Sequence, residues 1–519
     1  MDPISMNSYN MGNLLRISGL ATGLDTDSIV QQLIRAASIP LDRLEQQKQW
    51  YQWQQEDLRD INTQLMSLRN DNVFKLKLQG TFMAKTVTSS NPSVATATAG
   101  ANAVNGSYTI SVSQLAQAAT TASTDKIGAA TKNSDGTYTY NALNNTGSDI
   151  TLYLKGLDGN DKEIIIKNGA TIKDVVAAIN AKTNETGVSA TYDPGLDRLF
   201  LVSNFTGTNS KIDFSGTTDP TAQNFLTTTL KLDSKVLDTG GITGQDALFT
   251  FNGVQMTSST NNVTVAGINI TLTGTSNSTT TLTVLTDVDK IYNTIKSFVD
   301  SYNDIITKIN AKLTEKRYYD YPPLTSEQKQ AMKDSDIKLW EEKARSGNLN
   351  NDETLMRVYY SMRNVVSSTV SGVGSLSSIG ITTGQWYEGG KLYIDETKLK
   401  DAIANDLDKV MKIFAGVYET DSNGNTTLKT SGIAQNLYDT LKQGIDAITR
   451  KAGSTAQLYD TSFIGNRIRE IDDRIAQMQR YLNDLEKRYY AQFTQLEMYV
   501  GQMNSQSAWL SQQIGVMMK

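Results

Sequence analysis

The sequence predicts a multidomain α+β chain, with coiled-coil helical arms at its two ends, a helical leg domain, and nested Thr/Ser-rich antiparallel β domains in the middle. Three observations carry this expectation. The C-terminal stretch places apolar side chains at Ile464, Ile468, Ile471, Ile475, Met478, Leu482, Leu485, Tyr489, Phe493, Leu496, Val500 and Met503. Their steps alternate between three and four, apart from one irregularity at Tyr489, which is the 3.5-residue seam of a coiled coil. Near the other end, Leu44, Tyr51, Leu58 and Leu65 recur every seven residues, seconded by Ile61 and Leu68. Between the two lies a long stretch dominated by Thr, Ser, Asn and Gly in which apolar residues alternate with polar ones, the period of half-buried strands.

Composition narrows the functions open to such a chain. At 519 residues it exceeds a single core, and its formal charge of −5 is spread through interspersed acids and bases. No basic run points to nucleic acid, and no apolar stretch reaches the ~18 residues that would insert in a bilayer. The chain has no cysteine and no histidine, which rules out disulfides, thiolate chemistry, and imidazole as metal ligand or general base. A chain without thiols suits work outside a cell. Short apolar pieces at Met11, Leu14, Leu15 and Ile17 are followed by no small-residue cleavage site, so a cleaved secretory signal is not expected.

The elements follow in order. After a loose leader, Asp25 or Thr26 caps a helix starting at Asp27 or Ser28 and carrying Ile29, Val30, Leu33 and Ile34. Pro40 is expected to end it, and a second helix to run from about Leu41 to Asn72. From about Lys85 the period changes. Val94–Ala99 and Tyr108–Val112 read as strands, with Asn105-Gly106 as a turn. Thr151–Leu154 and Glu163–Lys167 flank a hairpin turn at Asp158–Asp161, and Ile172, Val175, Val176 and Ile179 mark a short helix. Strands near Val188–Tyr192 and Arg198–Val202 flank Asp193-Pro194-Gly195. Further strands are expected at Ala247–Asn252, Val254–Thr257, Val263–Val265, Ile268–Leu272 and Thr281–Leu285. Helix resumes at Asp287 and is interrupted by Pro322-Pro323; Ser326 caps a polar helix through Trp340, and Leu355–Val370 is helical. Trp386–Ile394 reads as a hairpin about Gly389-Gly390, and Leu399–Phe414 as one more helix. Residues 461–519 contain no proline, which permits a helix of ~85 Å at about 1.5 Å per residue.

No catalytic constellation stands out, and no cofactor or metal is expected. Asp158-Gly-Asn-Asp161 opens like a calcium loop but lacks the glutamate at the twelfth position, so it reads as a turn. Gly372-Val-Gly374 has no lysine or phosphate-loop context. Carboxylate pairs such as Asp472-Asp473 read as solvated helix faces. Trp50 and Trp53, three apart on one helical face, suit either a partner helix or packing within the chain. Leu510, Ile514 and Met517 carry the C-terminal stripe almost to the end, a pattern that favours burial in an assembly.

At this point several segments resemble one family, the flagellar filament cap proteins, also called flagellar hook-associated protein 2. Ile17-Ser-Gly-Leu-Ala-Thr-Gly-Leu-Asp-Thr-Asp-Ser-Ile-Val-Gln-Gln-Leu33 looks like the family's N-terminal signature, and Gly106–Gln117 is similar to its first β segment. Ala170–Asn180 with Gly187–Tyr192 looks like the repeat of hook-associated and flagellin-type proteins. Pro323–Lys329, Ile337–Gly347, Ile379–Thr383 and Gly390–Glu396 resemble the C-terminal region of cap proteins.

The resemblance implies export through the flagellar apparatus without a cleaved signal, an extracellular place at the filament tip, and assembly into a homo-oligomeric ring of about five or six copies. Its implied partners are itself, flagellin and a flagellar export chaperone, with a host surface receptor at the exposed plate only in the adhesin reading given below; nucleic acid and membrane insertion are not among them. It implies a division into an N-terminal arm (1–45) pairing with a C-terminal arm (455–519), a helical leg (46–82 and 286–454), a β plate (83–125 and 241–285), and an inserted outer β-rich domain (126–240). The residues expected to carry oligomerisation and filament contact are Ile464, Ile468, Ile471, Ile475, Met478, Leu482, Leu485, Phe493, Leu496, Val500, Met503, Leu510 and Ile514, with Leu44, Tyr51, Leu58 and Leu65 on the N-terminal arm. Two other readings are a surface adhesin binding glycans or host receptors through its β domains, and another flagellar axial protein. Segment 323–347 speaks against the second. An enzyme within 126–240 is a third reading, and no carboxylate pair selects it.

Overall fold

The computed structural model describes residues 22–455 and 459–517. The leader and the first residues of the N-terminal signature therefore lie outside the described residues. The chain divides into two units, Met1–Gln79 with Tyr292–Lys519, and Gly80–Ile291.

Among the described residues six helices run twelve residues or more: α1 Thr26–Ser67, α2 Val288–Thr314, α3 Asp334–Arg345, α4 Glu353–Val366, α5 Ile433–Ala452 and α6 Phe463–Met517. In the first unit α1 packs along α6, and α5 packs on α1, α4 and α6. Asp25 caps α1, its carboxylate accepting from the Ser28 N–H at 3.1 Å. Leu58, Ile61, Leu65 and Leu68 form the fully buried base of this arm, and α5, which packs on α1, buries Ile445 and Ile448 on its own inner face. Each such side chain contributes about 2 kcal/mol of burial.

Pro40 does not end the helix. Residues Thr26–Ser67 form one helix with Pro40 inside it, then continue through a π-helical turn at Leu68–Val73 into Phe74–Lys77. A proline in a helix interior costs about 3 kcal/mol, but Val30 before it and Leu41, Trp53 and Leu58 after it are all buried. Packing on both sides outweighs a penalty confined to one turn. Three other boundaries also differ. Thr325 rather than Ser326 is the cap, exchanging hydrogen bonds with Gln328, and Ser326–Gln330 is a separate short helix because Lys333 is extended and Asp334 opens α3 anew. The helix before the glycine pair ends at Val366, and Thr369–Val370 instead pairs with Gly374–Ser375. Leu399–Phe414 is two helices, since the Asp406 carboxylate accepts from Lys409 N–H and starts the second.

The interface of α4 and α5 is close because of Gly444. A Cβ at this position would lie 2.9 Å from Val358 Cγ2 and 3.2 Å from Cγ1. Exchanging glycine for alanine inside a helix ordinarily gains about 1 kcal/mol. Here the stiff β-branched Val358 cannot turn aside, and overpacking costs about 1–3 kcal/mol. Gly444→Ala is therefore expected to lower stability by about 1 kcal/mol, read from the urea midpoint; a raised midpoint would show that the helices spread freely.

The second unit holds two cores. In one, a five-stranded antiparallel sheet is ordered Lys85–Ser89, Thr280–Thr286, Gly106–Gln114, Ala247–Phe251 and Val254–Ser258. A three-stranded sheet of Asn262–Val265, Ile268–Leu272 and Ala95–Ala99 completes that core with Ile110, Val112, Phe249, Ile270 and Leu282. Ala95–Ala99 and Gly106–Gln114, adjacent in sequence, thus belong to different sheets. Asn252-Gly253, both at positive φ, close the two-residue hairpin. The other core lies between the strands Ala118–Ala122, Arg198–Thr206 and Val188–Asp193, the hairpin Ile150–Lys155/Asp161–Ile166, and the helix Ile172–Asn180, which buries Ile172, Val175 and Ile179. The chain leaves and re-enters the first core side by side at Gln117 and Gln245. Only glycine fits at 244, where a Cβ would meet the Gln117 carbonyl oxygen at 2.3 Å.

Candidate assembly surface

The two arm helices form an antiparallel hairpin in steady register. Thr22 donates its hydroxyl hydrogen to the Glu497 carboxylate. Pro40 and Leu44 share a groove with Met478 and Tyr481, Lys48 pairs with Asp472 at 2.7 Å, and Arg59 pairs with Asp460 at 2.7 Å. Beyond the Thr22–Glu497 contact α6 continues from 498 to 517, about 30 Å at 1.5 Å per residue.

Burial of the stripe follows this register. Ile464, Ile471, Leu482 and Leu485 are buried where α1 lies opposite. Ile468, Ile475, Met478, Phe493 and Val500 are half-buried. Leu496, Met503, Leu510 and Ile514 are exposed, as are Tyr499 and Trp509 beside them. The side chain of Met517 lies outside the described residues. On α1, Leu58 and Leu65 are fully buried, whereas Leu44 and Tyr51 are half-buried along the hairpin. One periodic stripe thus divides into an internal half and a bare half. Trp53 is buried within the chain, and Trp50 is capped by the Arg317 guanidinium 4.1 Å from its ring centre.

The base of the arm is tied down by polar residues that the periodicity does not mark. Asp57, buried on α1, accepts from Arg345 Nη2 at 2.6 Å, Asn348 Nδ2 at 2.7 Å and Lys312 Nζ at 3.1 Å. It therefore joins α1 to α2, α3 and the loop after α3. Two residues to either side of it in sequence, Gln55 and Arg59 both donate to Asp460 at 2.7 Å, and Arg59 Nε donates to the Ala452 carbonyl at 2.8 Å. The only hint in the sequence is an aspartate directly preceding the heptad position Leu58, and it names no partner.

These groups respond to acid in opposite senses. Burial pushes the Asp57 carboxyl up, but Arg345, Asn348 and Lys312 outweigh it and hold the group below the ordinary carboxylate range. Asp460 is likewise pushed up by burial and brought below its ordinary value by Ser462, Arg59 and Gln55. Farther out on α1, burial and the Glu327 charge raise Asp42 against Arg35, and burial and the Asp42 charge raise Glu45 against Lys48. Depressed carboxylates lend stability that is complete above about pH 4 and is lost as pH falls through their folded values. Raised ones oppose folding at neutral pH, and that opposition fades as pH falls through their folded values. Amide protection, taken relative to the intrinsic exchange rate at each pH, is therefore expected to hold or rise around Asp42 and Glu45 between neutrality and about pH 5, and to fall around Asp57 below about pH 4. A uniform response along α1 would contradict this assignment.

Comparison with known proteins covers most of the chain. Residues 244–505 match the sequence profile described as Flagellar hook-associated protein 2 C-terminus, and residues 22–119 match the corresponding N-terminus. Residues 149–205 match the Flagellin hook IN motif. The flagellar hook-associated protein 2 of Halalkalibacterium halodurans is 31% identical, over 96% of this chain and 99% of its own length. That of Escherichia coli K12 is 28% identical, over 95% and 97%. Among solved structures, the D1-D2-D3 domains of the flagellar cap protein FliD from Escherichia coli share the fold, with a TM-score of 0.53 at 24% identity, covering 80% of this chain and 99% of that one.

Proposed function

Since the chain belongs to the flagellar hook-associated protein 2 family, we propose that it caps the distal tip of the bacterial flagellar filament, where a ring of its copies retains exported flagellin so that it folds and polymerises beneath. The family is a structural one. The observation that carries the mechanism is the bare half of the α6 stripe, Leu496 to Ile514, held on a helix whose other half is locked to α1. A single helix with an unpartnered apolar face is marginal in water, and a filament supplies the missing surface. Locking the near half spares the cost of ordering it at each contact.

In this reading the segments 1–45 and 455–519 are the arms that reach among flagellin subunits, 46–82 and 286–454 the leg, 83–117 and 245–285 the plate, and 118–244 an outer domain, the expected bounds at 125 and 241 moving to the crossing at Gln117 and Gln245 because Ala119 and Ile242 pack in the second core. The copies number about five or six by analogy with closed cyclic assemblies of this kind, and an export chaperone would shield the stripe before release. The site of action is extracellular, and no helix among the described residues is long and apolar enough to cross a membrane. The adhesin reading is not favoured, because the family match runs through the arms as well as the β domains. Electron microscopy of filaments from cells lacking the protein, with and without purified chain added back, tests the proposal. Flagellin shed into the medium and capped filaments restored by the added chain support it; normal filaments without the protein would refute it.

A further inference from the structure

The turn joining Ile381–Thr383 to Leu392–Ile394 presents two bare aromatic rings on a rigid mount. Trp386 is 85% exposed and Tyr387 69% exposed, with ring centres 5.8 Å apart and nearly perpendicular. The mount itself is firmly bonded. Tyr393 donates its hydroxyl hydrogen to Glu388 at 2.8 Å, and Tyr359 donates to the Gly389 carbonyl at 2.7 Å. Asn303 on α2 accepts from the Leu392 N–H and donates to the Leu392 carbonyl, both at 2.8 Å. Gly389 and Gly390 sit at positive φ, and a Cβ at 390 would strike Arg363 Nε at 2.4 Å. Burying nothing within its own chain, an indole held out this way is pre-organised for a partner, at little entropic cost.

A matching socket lies between α4 and α5. It is lined by Arg357, Val358 and Ser361 from α4 and by Gly444, Ala447 and Arg450 from α5, with a volume of about 340 Å³. A cavity of about 150 Å³ holds benzene, so this one has room for an indole. Neither Arg357 nor Arg450 has an ion-pair partner among the described residues, and Asp446 is the only carboxylate in the lining. Two free guanidiniums over an apolar floor suit the negative face of an aromatic ring, and the Glu388 carboxylate beside it.

Knob and socket cannot meet within one chain. Tyr359 and Arg363 face the turn, whereas Arg357 and Ser361 face the socket. A shift of two residues turns about 200° around a helix of 3.6 residues per turn. The two features therefore lie on opposite flanks of α4. A protrusion on one flank and a complementary hollow on the other define a heterologous contact, the kind that generates a ring when its rotation closes. We infer that the Trp386–Tyr387 turn of one copy seats in the Arg357/Arg450 groove of the next copy, forming a head-to-tail contact between the helical units of the assembled ring. This inference rests on the ring reading given above and identifies one of its contacts.

The absence of native cysteine makes the contact directly testable in the full-length chain. Tyr387→Cys and Ser361→Cys placed in one chain and oxidised after assembly are expected to give a ladder of covalent multimers ending at the ring, while a mixture of the two single variants stops at dimers. Trp386→Ala, whose side chain supports nothing in its own fold, is expected to leave the circular dichroism and thermal midpoint unchanged. It is expected to raise the concentration for half-assembly roughly thirty-fold, the loss of one hot-spot aromatic. Rings that form without the ladder, or with the same concentration dependence in Trp386→Ala, would overturn this contact and leave the ring standing. A wild-type chain that stays monomeric at every concentration would overturn the ring reading, and this contact with it.

Discussion

Ending the chain after Leu496 is expected to leave a folded protein that caps no filaments. The cut removes Glu497, whose carboxylate accepts from Thr22, and the stretch from 498 onward, where Met503, Leu510 and Ile514 are exposed, and spares every seam residue that is buried on α1. Burial decides the outcome for stability: the lost side chains hide little surface in the isolated chain, so the thermal midpoint should move by no more than about 2 °C. Filament rescue should fall to the level of buffer alone, because the apolar surface that would meet flagellin is gone. A cut after Ser454 is a poorer experiment. It also removes Ile464, Ile471, Leu482, Leu485 and Asp460, on the order of 8 kcal/mol of apolar burial at about 2 kcal/mol each. That rivals the whole stability of an ordinary domain, about 5–15 kcal/mol, so loss of capping there would report unfolding. Undiminished rescue by the chain ending at Leu496 would remove this stretch from the mechanism.

Asp57→Ala is expected to cost about 3 kcal/mol, the low end for removing one partner of a buried ion pair. Arg345 and Lys312 would lose an acceptor at 2.6 and 3.1 Å, and Asn348, only 3% exposed, would lose the acceptor at 2.7 Å. The low end applies because Arg345 and Lys312 keep partial access to water, and Arg345 retains Glu56 at 3.1 Å. The loss should appear as a lower urea midpoint for the helical transition and faster amide exchange at the base of α1. Asp57→Asn, which keeps an acceptor but not the charge, should recover about half of it. A loss below about 1 kcal/mol in the alanine variant would mean that the hydrophobic base alone holds the arm.

The stripe from Ile464 to Ile514, the heptad Leu44 to Leu65 and the two-residue alternation of the middle are statements about periodicity, and periodicity is local. A helix shows its buried face every three or four residues and a strand every two, whatever it packs against. For that reason the fold class, the arm helices and the hairpin about Asp158–Asp161 were legible from the residues, as was the family, through short segments in a fixed order. Element ends were legible where a cap names itself, as at Asp25, and not where packing overrode propensity, as at Pro40. The break at Asp406 was likewise hidden, because one aspartate serves equally well inside a surface helix or at its start.

By itself, then, the sequence determined which segments are helix and strand, that the arms carry apolar seams, and that thiol and imidazole chemistry are absent. Only the tertiary structure decided where along α6 the seam stops being covered, because that depends on the register in which α1 runs back beside it. Only the tertiary structure also brought Asp57 to Arg345, Lys312 and Asn348, and set Trp386 and the Arg357/Arg450 groove on opposite flanks of α4. Contacts between residues hundreds of positions apart leave no period in the chain. Their energy comes from burial and charge pairing that exist only once the helices have docked.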